Sequence, residues 1–354
     1  MLAPKKKTPA VVGLDFETGS IAATEVRGNG ERAVGRTAIA PLAPGVVTDG
    51  EVRDTEQLAG ALRELFAHHK LSKSVRLGIA NQRVVVRTIQ LPLIEDPEEL
   101  DSAVRFRAQD EIPMPLDQAV LDHRVLAKRN GPDGDRQMEV LAVAARRDMV
   151  ITLLEALRKA GLAPVGIDLS AFGMIRALSA GAPAVGGGVG AGTTLYCHLG
   201  DVTNLAVSRD GECIFTRVAP YGIEDMAERL SERDGMPMDD ARDRLLEVGL
   251  EESLDLFEDG DVSAATTREV LTEGAGKLVD ELRMSLDYYG AQEGVPSIER
   301  VVLCGLGSTL PGLPERIEQG LGLGIVVESP AGLSHLDGED AARLTVSYGL
   351  ALEG

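Results

Sequence analysis

The fold of this chain is decided by the stretch Gly13-Leu14-Asp15-Phe16-Glu17-Thr18-Gly19-Ser20-Ile21-Ala22-Ala23-Thr24, in which a short polar turn lies between two apolar runs. The pattern predicts two strands between Pro9 and Glu25, and an apolar run around Arg36–Pro41 predicts a third, so that the three form an antiparallel meander. Small and hydroxyl-bearing residues in a turn let backbone N–H groups approach an anion closely. The turn Glu17–Ser20 is therefore a candidate phosphate or metal site, or else an ordinary hairpin turn.

The same pattern recurs in the second half of the chain. Strands are predicted at Thr194–Leu199, Asn204–Arg209 and Glu212–Val218, and the first two flank the polar turn Gly200–Thr203. A third turn, Gly305–Ser308, follows a buried-type strand that ends at Cys304. One such turn alone is typical of a hairpin, but two in repeated meanders and one before a helix favour phosphate binding. The recurrence predicts an internal duplication in an α/β protein of two lobes.

Capping residues and apolar periodicity predict the helices that cover these strands. Asp54 and Asp96 precede helical patterns as N-caps, and Asp148 is expected to cap a helix that ends at Ala160. Helices are predicted after Asp54, from Asp96 to Glu111, and at Glu224–Arg233, Met238–Val248, Thr267–Tyr289, Pro311–Leu321 and about Asp340 to the end. The remaining strands are predicted at Val75–Ala80, Val84–Leu91, Ala119–Lys128, Gln137–Ala145, Val165–Leu169, Arg300–Cys304 and Ile325–Glu328.

The composition indicates a large globular protein and disfavours several function classes. At 354 residues, 44% of them hydrophobic, the chain exceeds the size at which one core usually stops growing, so two domains or lobes are expected. No run approaches ~20 uncharged apolar residues, and the basic start lacks the apolar core of a secretion signal, so we expect a soluble chain without a membrane span. A net charge of −20 disfavours nucleic acid and anionic lipid as direct partners. Buried, reduced thiols are expected at Cys197, Cys213 and Cys304.

The three turns together resemble the actin-like ATPase fold, in which two lobes clamp ATP with one phosphate turn each and a separate adenosine turn. Within that fold the chain resembles the PilM family of type IV pilus assembly proteins, which is related to the division protein FtsA. The most specific stretch is Ala103–Asp117, a helix with the exit Ile112-Pro113-Met114-Pro115, which is similar to the small inserted subdomain of this family. The segments Ala156–Val165 and Leu282–Tyr289 are also similar to family segments. The resemblance covers residues 10–354 and implies an α/β, actin-like (ribonuclease H-like duplicated) two-lobed fold with a small inserted subdomain.

The resemblance also implies a division of the chain. We expect a flexible tail at 1–9, the first lobe at 10–91, the inserted small subdomain at 92–166, the first lobe continued at 167–185, a glycine-rich linker at 186–192, the second lobe at 193–222, a helical subdomain at 223–266, the second lobe continued at 267–338 and a C-terminal helix at 339–354. The glycine-rich run is the clearest change of composition in the chain. The acidic segment Glu251–Asp261 is expected to be exposed.

The resemblance further implies which residues hold a nucleotide, and ATP and Mg²⁺ are the cofactors that we expect. The first phosphate turn would be formed by Asp15, Thr18, Gly19 and Ser20, with Asp15 near the magnesium ion. The second phosphate turn would be formed by Gly200, Asp201 and Thr203. The adenosine turn would be formed by Gly305, Gly307 and Ser308, with Gly222 at the edge of the cleft.

Three positions depart from the family pattern. Glu17 stands where the family usually has glycine, and it sets a carboxylate beside the expected phosphates. Ala22 stands where a lysine is common, and His198 stands where an aspartate usually opens the second turn. An imidazole cannot organise magnesium as a carboxylate does, and losing a general base costs about 10²–10⁴ in rate. We therefore expect at most slow hydrolysis and no catalytic residue, with His198 a packed core residue.

The function implied by the resemblance is that of a scaffold. PilM-family proteins clasp a short cytoplasmic N-terminal segment of the single-pass membrane protein PilN, so we expect this chain to bind ATP and PilN in the inner-membrane platform of a type IV pilus. It would lie in the cytoplasm at the inner face of the membrane without inserting, and pilus motor ATPases are further candidate partners. Capture of an extended segment is expected on a strand and the helix that follows it, at Asn81, Gln82, Arg83, Arg87, Arg105 and Arg107.

Two other function classes remain open. A nucleotide-free pseudo-ATPase scaffold, of a pilus or of a type II secretion machine, would account for Glu17 and His198. A sugar or acetate kinase of the same fold would need an aspartate base where His198 stands. Its sugar would also need an aromatic platform, and aromatic residues make up only 3% of the chain.

Overall fold

A computed structural model of the protein describes residues 10–28, 32–130, 135–179, 192–250, 262–292 and 294–352. The strands, in chain order, are β1 (Val11–Glu17), β2 (Ser20–Gly28), β3 (Arg32–Pro41), β4 (Val47–Thr48), β5 (Glu51–Val52), β6 (Ser74–Ile79), β7 (Val84–Pro92), β8 (Ala119–Asn130), β9 (Arg136–Arg146), β10 (Ala163–Leu169), β11 (Thr193–Leu199), β12 (Thr203–Arg209), β13 (Glu212–Ala219), β14 (Arg300–Cys304) and β15 (Ile325–Val327). The helices are α1 (Thr55–His69), α2 (Pro97–Glu111), α3 (Arg147–Lys159), α4 (Ser170–Ser179), α5 (Ile223–Asp234), α6 (Met238–Val248), α7 (Val262–Gly290), α8 (Leu313–Leu321), α9 (Gly338–Arg343) and α10 (Thr345–Ala351). Short 3₁₀ turns lie at Leu116–Gln118, Leu306–Thr309 and Ala331–Leu333.

Two five-stranded sheets form the two lobes, and they share one topology. In the first lobe the strand order is β10-β6-β1-β2-β3, where β1, β2 and β3 are an antiparallel meander and β6 and β10 add in parallel. In the second lobe the order is β13-β12-β11-β14-β15, where β11, β12 and β13 are the meander and β14 and β15 add in parallel. The repeated order confirms the internal duplication predicted from the sequence.

The register of each meander places the polar turns at one end of the sheets. Glu17 pairs with Ser20 across the first hairpin, and Leu199 pairs with Thr203 across its counterpart. Because β14 runs parallel to β11 with Cys304 beside His198, the turn after β14 lies next to the turn after β11. The topology therefore brings the turns of the second lobe together without any further constraint.

The hydrophobic core of the first lobe continues into the second. Leu14, Leu62 and Leu77 are fully buried in the first lobe, and the same cluster of contacting apolar side chains includes Ala206 and Val302 of the second-lobe sheet. A separate core lies between the other face of the second-lobe sheet and the helices α5, α6 and α7. The two lobes thus share buried apolar surface, which resists their separation.

A three-stranded sheet, in the order β7-β9-β8, forms the inserted region together with α2. One face of this sheet packs on α2 through a core that includes Val104, Ala108 and Val140. The opposite face carries Leu141 into the first-lobe core. Ion pairs also join it to the second lobe, where Arg209 lies 3.6 Å from Glu139 and Arg124 lies 2.9 Å from Glu212. The inserted sheet therefore contacts both lobes.

The structure corrects two details of the predicted helices near the middle of the chain. Helix α4 is an addition to the predicted elements, and seven of its ten residues are buried. Asp148 does not cap α3, which begins at Arg147 without a side-chain cap. Asp148 lies instead in the first turn, where its carboxylate pairs with Arg146 and accepts the N–H of Met149.

Two further corrections concern the last sixty residues. The helix predicted from Pro311 begins at Leu313, because its N-cap residue Gly312 takes a left-handed conformation with a φ of 80°. The single C-terminal helix is two helices, α9 and α10, which are joined at Leu344. The bend lets α10 pack on the first-lobe sheet.

Some predicted features lie wholly or partly outside the described residues. These are the tail at 1–9, the turn at 130–135, the glycine-rich run at 186–192 and the acidic segment at 251–261. The three cysteines are described, and all are buried and free, as predicted. Within the described ranges, no helix is both long enough and apolar enough to cross a membrane.

Candidate functional site

The polar turns of the two lobes border a cavity of about 260 Å³ between the lobes. The first lobe lines it with Glu17–Ser20 and Ile39–Pro41, and the second lobe lines it with Asp201, Leu306 and residues of α5 and α6. Pockets that hold small molecules usually measure about 300–1,000 Å³. The cavity is therefore slightly smaller than a typical ligand pocket, although it has the expected position.

Asp201 joins the two predicted phosphate turns directly. Thr18 donates both its backbone N–H and its hydroxyl to Asp201 Oδ2, at 2.7 and 2.9 Å. The other carboxylate oxygen of Asp201 accepts the N–H of Val202 at 2.8 Å. Two donors that converge on one anionic oxygen form the kind of seat that holds a phosphate oxygen. The first turn is thus built to bind an anion, and a carboxylate of the chain itself is the anion bound there.

Glu17 fills much of the space between the same turns. Its Oε1 lies 2.1 Å from the position that a Cβ on Gly200 would take, so a side chain at 200 would require the Glu17 carboxyl group to move. The same oxygen lies 3.7 Å from His198 Nδ1. Burial raises the pKa of Glu17 well above its usual range, with the charges of Asp201 and Asp15 adding to the shift, and burial lowers the pKa of His198 to about 4. The His198 imidazole is therefore neutral near pH 7, so its contact with Glu17 is not a salt bridge.

Asp15, the predicted magnesium residue, lies near the end of β1 and is almost fully buried. Its Oδ1 accepts a hydrogen bond from Ser170 Oγ at 3.0 Å. Burial raises the pKa of Asp15 to about 7, the Ser170 hydrogen bond lowers it, and the charge of Asp201 raises it. Among the described residues, no three His, Cys, Asp or Glu side chains are grouped as a metal site requires. A magnesium ion here would therefore take most of its oxygen ligands from the nucleotide and water.

The predicted glycines of the second lobe are required by close packing. A Cβ on Gly222 would lie 2.2 Å from the carbonyl oxygen of Gly200, and a Cβ on Gly307 would lie 2.8 Å from Ile223 Cγ2. Gly305 has a φ of 82° and packs against the His198 ring, where a Cβ would come within 2.9 Å. The predicted adenosine turn therefore packs against the end of β11, directly before the predicted second phosphate turn.

Two predicted hydroxyls are engaged by the protein itself. Thr203 is fully buried, and its Oγ1 donates to the carbonyl oxygen of Tyr221 at 2.7 Å. Ser308 Oγ donates to the carbonyl oxygen of Gly305 at 2.7 Å, within its own turn. Of the residues predicted from the sequence for nucleotide binding, those that line the cavity are Thr18, Gly19, Ser20 and Asp201.

Several cavity residues were not predicted from the sequence. Pro41 at the end of β3 pairs with Ser20. The prediction of a third meander strand therefore contains the information that Ile39–Pro41 lie beside the first turn. Arg242 of α6 crosses to the first lobe, where its Nη2 lies 2.6 Å from the position of a Cβ on Gly19. Arg343 of α9 also lines the cavity. No local pattern marks these two arginines, because each comes from a helix far away in sequence.

The donor set of the cavity fits a nucleotide phosphate once Asp201 leaves Thr18. The charges of the lining impose a second requirement. Carboxylates outnumber cations there, since Glu17, Asp201, Glu224, Asp239 and Asp243 face Arg242 and Arg343. Phosphates would therefore enter with a metal ion or with protonation of the buried carboxylates, whose raised pKa values favour the neutral form.

The predicted PilN-binding residues fall into two groups. Asn81 is buried and donates to the carbonyl oxygen of Asp49 at 2.5 Å, while Arg83 forms an ion pair with Glu51 at 2.9 Å. Gln82 is exposed and Arg87 is half-buried on β7. Arg105 and Arg107 are exposed on α2, and each pairs with an acid one turn away. Between them Phe106 is 68% exposed, which is unusual for phenylalanine.

Comparison with known proteins identifies relatives over the whole chain. The family model described as type IV pilus assembly protein PilM matches residues 13–354. A chain of a solved PilM-PilN type IV pilus biogenesis complex is 25% identical, with a TM-score of 0.79 over 97% of each chain. The ethanolamine utilization protein EutJ from Carboxydothermus hydrogenoformans is 17% identical, with a TM-score of 0.56 over 100% of this chain and 91% of its own. MreB5 of Spiroplasma citri, solved with ADP, is 13% identical, with a TM-score of 0.55 over 97% and 95%. These likenesses confirm the two-lobed actin-like fold.

Proposed function

We propose, because this chain belongs to the PilM family of type IV pilus assembly proteins, that it is a scaffold of a type IV pilus assembly platform and binds the N-terminal segment of PilN. The observation that carries the proposal is the match to a chain of the PilM-PilN complex, at 25% identity and a TM-score of 0.79 over 97% of both chains. A soluble partner of a membrane-anchored protein would be held at the inner face of the membrane. Pilus motor ATPases are proposed as further partners of that platform.

The proposed PilN-binding surface comprises β7 and α2. Gln82, Arg87, Arg105 and Arg107 would contact the segment, because their side chains are exposed or half-buried. Asn81 and Arg83 would shape the surface, since both are tied to the β4–β5 hairpin through Asp49 and Glu51. Phe106 adds an exposed apolar side chain at the centre of the α2 face. An extended segment bound there would combine main-chain hydrogen bonds with side-chain pockets.

Binding of a labelled synthetic peptide, with the sequence of the PilN N-terminal segment from the same genome, tests the scaffold. We expect saturable binding by fluorescence anisotropy, and about tenfold weaker binding for the double variant Arg105→Ala/Arg107→Ala, because hydrogen bonds to charged groups are worth about 1.5–3 kcal/mol. Arg316→Ala, an exposed arginine on α8, is the matched control. A folded chain that does not bind the peptide would contradict the proposal.

We also propose that the interlobe cavity takes ATP with Mg²⁺. Thr18, Gly19 and Ser20 would hold phosphate oxygens after Asp201 turns away, and Asp15 would lie near the metal. The nucleotide would supply negative charge and, with its metal, a link between the lobes. His198 is neutral and buried, so hydrolysis would be slow at best. Isothermal titration with MgATP and a thermal shift at millimolar nucleotide test this part.

A nucleotide-free scaffold is the second candidate, and a specific observation favours it. Asp201 already occupies the donors of Thr18, and Glu17 fills the space above Gly200. If MgATP gives neither heat nor a thermal shift while the PilN peptide binds, the nucleotide-free scaffold replaces the ATP-binding one.

A further inference from the structure

Arg343 differs from the other arginine of the interlobe cavity, because it has no acceptor among the residues that the structure describes. It is the last residue of α9, is half-buried, and lines the cavity together with Glu17 and Thr18. Within the described residues, no hydrogen bond or ion pair holds its guanidinium. Its charge acts on Glu17 only from a distance, where it lowers the pKa of that carboxyl against the larger effect of burial. A guanidinium thus lines the cavity with no acceptor from the described part of the chain.

Arg242, by contrast, is already neutralised. Its Nε donates to Glu224 Oε2 at 2.7 Å, and its terminal nitrogens bond to Glu224 and Asp239. Two carboxylates fix this side chain against Gly19. Arg242 therefore closes one wall of the cavity and has little capacity left for a ligand.

The N–H donors of Arg343 suit an anion with several oxygen atoms. A guanidinium has N–H donors in a planar fork that matches carboxylate and phosphate oxygens in pairs, and a partly buried charge without a partner is costly. The cavity already contains a second anion seat, formed by the N–H and the hydroxyl of Thr18. An unpaired cation and such a seat on one small cavity suit a ligand with more than one anionic oxygen group, as in the phosphate chain of a nucleotide.

We propose that Arg343 is the phosphate-binding cation of the interlobe cavity. The inference rests on the nucleotide binding proposed above and adds the residue that supplies the positive charge. Phosphate oxygens would replace Asp201 on the donors of Thr18 and would accept from Arg343. The carboxylates of Glu17, Asp201, Glu224, Asp239 and Asp243 face the same space, so the cation offsets part of their repulsion. The competing explanation is that Arg343 serves only to offset the charge of Glu17.

Isothermal titration of the full chain separates the two explanations. MgATP and adenosine, which has no phosphate, are titrated into the wild type, Arg343→Ala, Arg343→Gln, Arg343→Lys and the control Arg316→Ala. We expect at least about tenfold weaker ATP binding for the alanine and glutamine variants, an intermediate loss for lysine, and adenosine binding unchanged throughout. Circular dichroism verifies folding, and the glutamine variant carries the test if the alanine variant does not fold.

Each other outcome overturns the inference in a recognisable way. If the wild type and Arg343→Gln bind ATP with equal affinity, Arg343 does not bind phosphate, but the proposal that the cavity binds nucleotide is kept. A parallel loss of adenosine binding means that Arg343 supports the structure of the cavity and does not contact phosphate. If the wild type binds neither MgATP nor adenosine, both the proposed nucleotide binding and the proposed role of Arg343 are wrong. The PilN peptide assay on the same preparations then decides the scaffold independently.

Discussion

At the scale of single residues, three carboxyl groups in or beside the interlobe cavity each contact another residue of the chain. Asp201 is held by Thr18, Asp15 is held by Ser170, and Glu17 packs over Gly200. Burial raises the pKa of all three carboxyls. Protonation and ligand binding at this cavity are therefore coupled, because a bound cation would favour the charged carboxylates and a bound anion the neutral ones.

Replacing His198 by glutamine should change how stability depends on pH. The unfolded pKa of this histidine is 6.5 and burial lowers the folded value to about 4, so the unfolded chain binds more protons between these values. Its contribution is fully present above pH 6.5 and is lost as the pH falls toward 4. We expect the wild type to lose about 2 kcal/mol relative to His198→Gln between pH 7 and pH 5, measured by urea unfolding.

The opposite titration of Asp15 does not obscure this comparison. Its raised pKa favours the folded state as the pH falls, but both proteins contain Asp15, so its effect cancels in the difference. A constant difference between the two proteins across this pH range would mean that His198 is not buried in its neutral form.

The sequence predicts the position of the site better than the use of its side chains. The turns at Glu17–Ser20, Gly200–Thr203 and Gly305–Ser308 are visible because turn chemistry is local. The sequence does not show the hydrogen bond from Thr203 to Tyr221 or the contact of Asp201 with Thr18, because both join segments that are separated in sequence. The same limit applies to Arg343, which only the tertiary fold brings to the cavity.

At the scale of elements, helix α10 shows how closely backbones approach in the first lobe. A Cβ on Gly349 would lie 1.7 Å from the carbonyl oxygen of Gly173 in α4. Both helices are almost entirely buried, so neither can move aside.

Gly349→Ala should therefore destabilise the protein strongly. We expect a loss of about 3 kcal/mol or more in the free energy of unfolding, because the new methyl group meets backbone atoms and not a flexible side chain. Gly276→Ala on α7 is the matched control, since a Cβ there meets no atom within 4 Å. That variant should be stabilised by up to about 1 kcal/mol through helix propensity. Similar unfolding midpoints for the two variants would contradict the close packing of α4 and α10.

At the scale of the whole molecule, the two lobes share one buried core through Ala206 and Val302. The inserted sheet adds a second connection through Glu139 and Arg209. The duplication is predictable from the sequence because the meander pattern repeats. The shared core is not predictable in this way, because it depends on which faces of the two sheets pack together.

We expect both lobes to unfold together in a calorimetric scan. Leu62→Ala in the first lobe and Leu278→Ala in the second each remove a fully buried side chain, at a cost of about 2–5 kcal/mol. Because the lobes share a core, each variant should lower the temperature of one common transition. Two separate transitions, with each variant moving only one of them, would show that the lobes are energetically independent.

The position of α10 has a consequence for synthesis of the chain. The hydroxyl groups of Ser347 in α10 and Thr24 in β2 form a hydrogen bond of 2.8 Å. The carbonyl oxygen of Ser347 lies 1.9 Å from the position that a Cβ on Gly13 would take. The first hairpin leaves the ribosome early, but the helix that covers it is translated more than three hundred residues later. Contacts this distant in sequence form slowly, and the uncovered apolar strands are exposed to aggregation meanwhile. The strands of the first hairpin therefore stay without this cover until α10 has been translated.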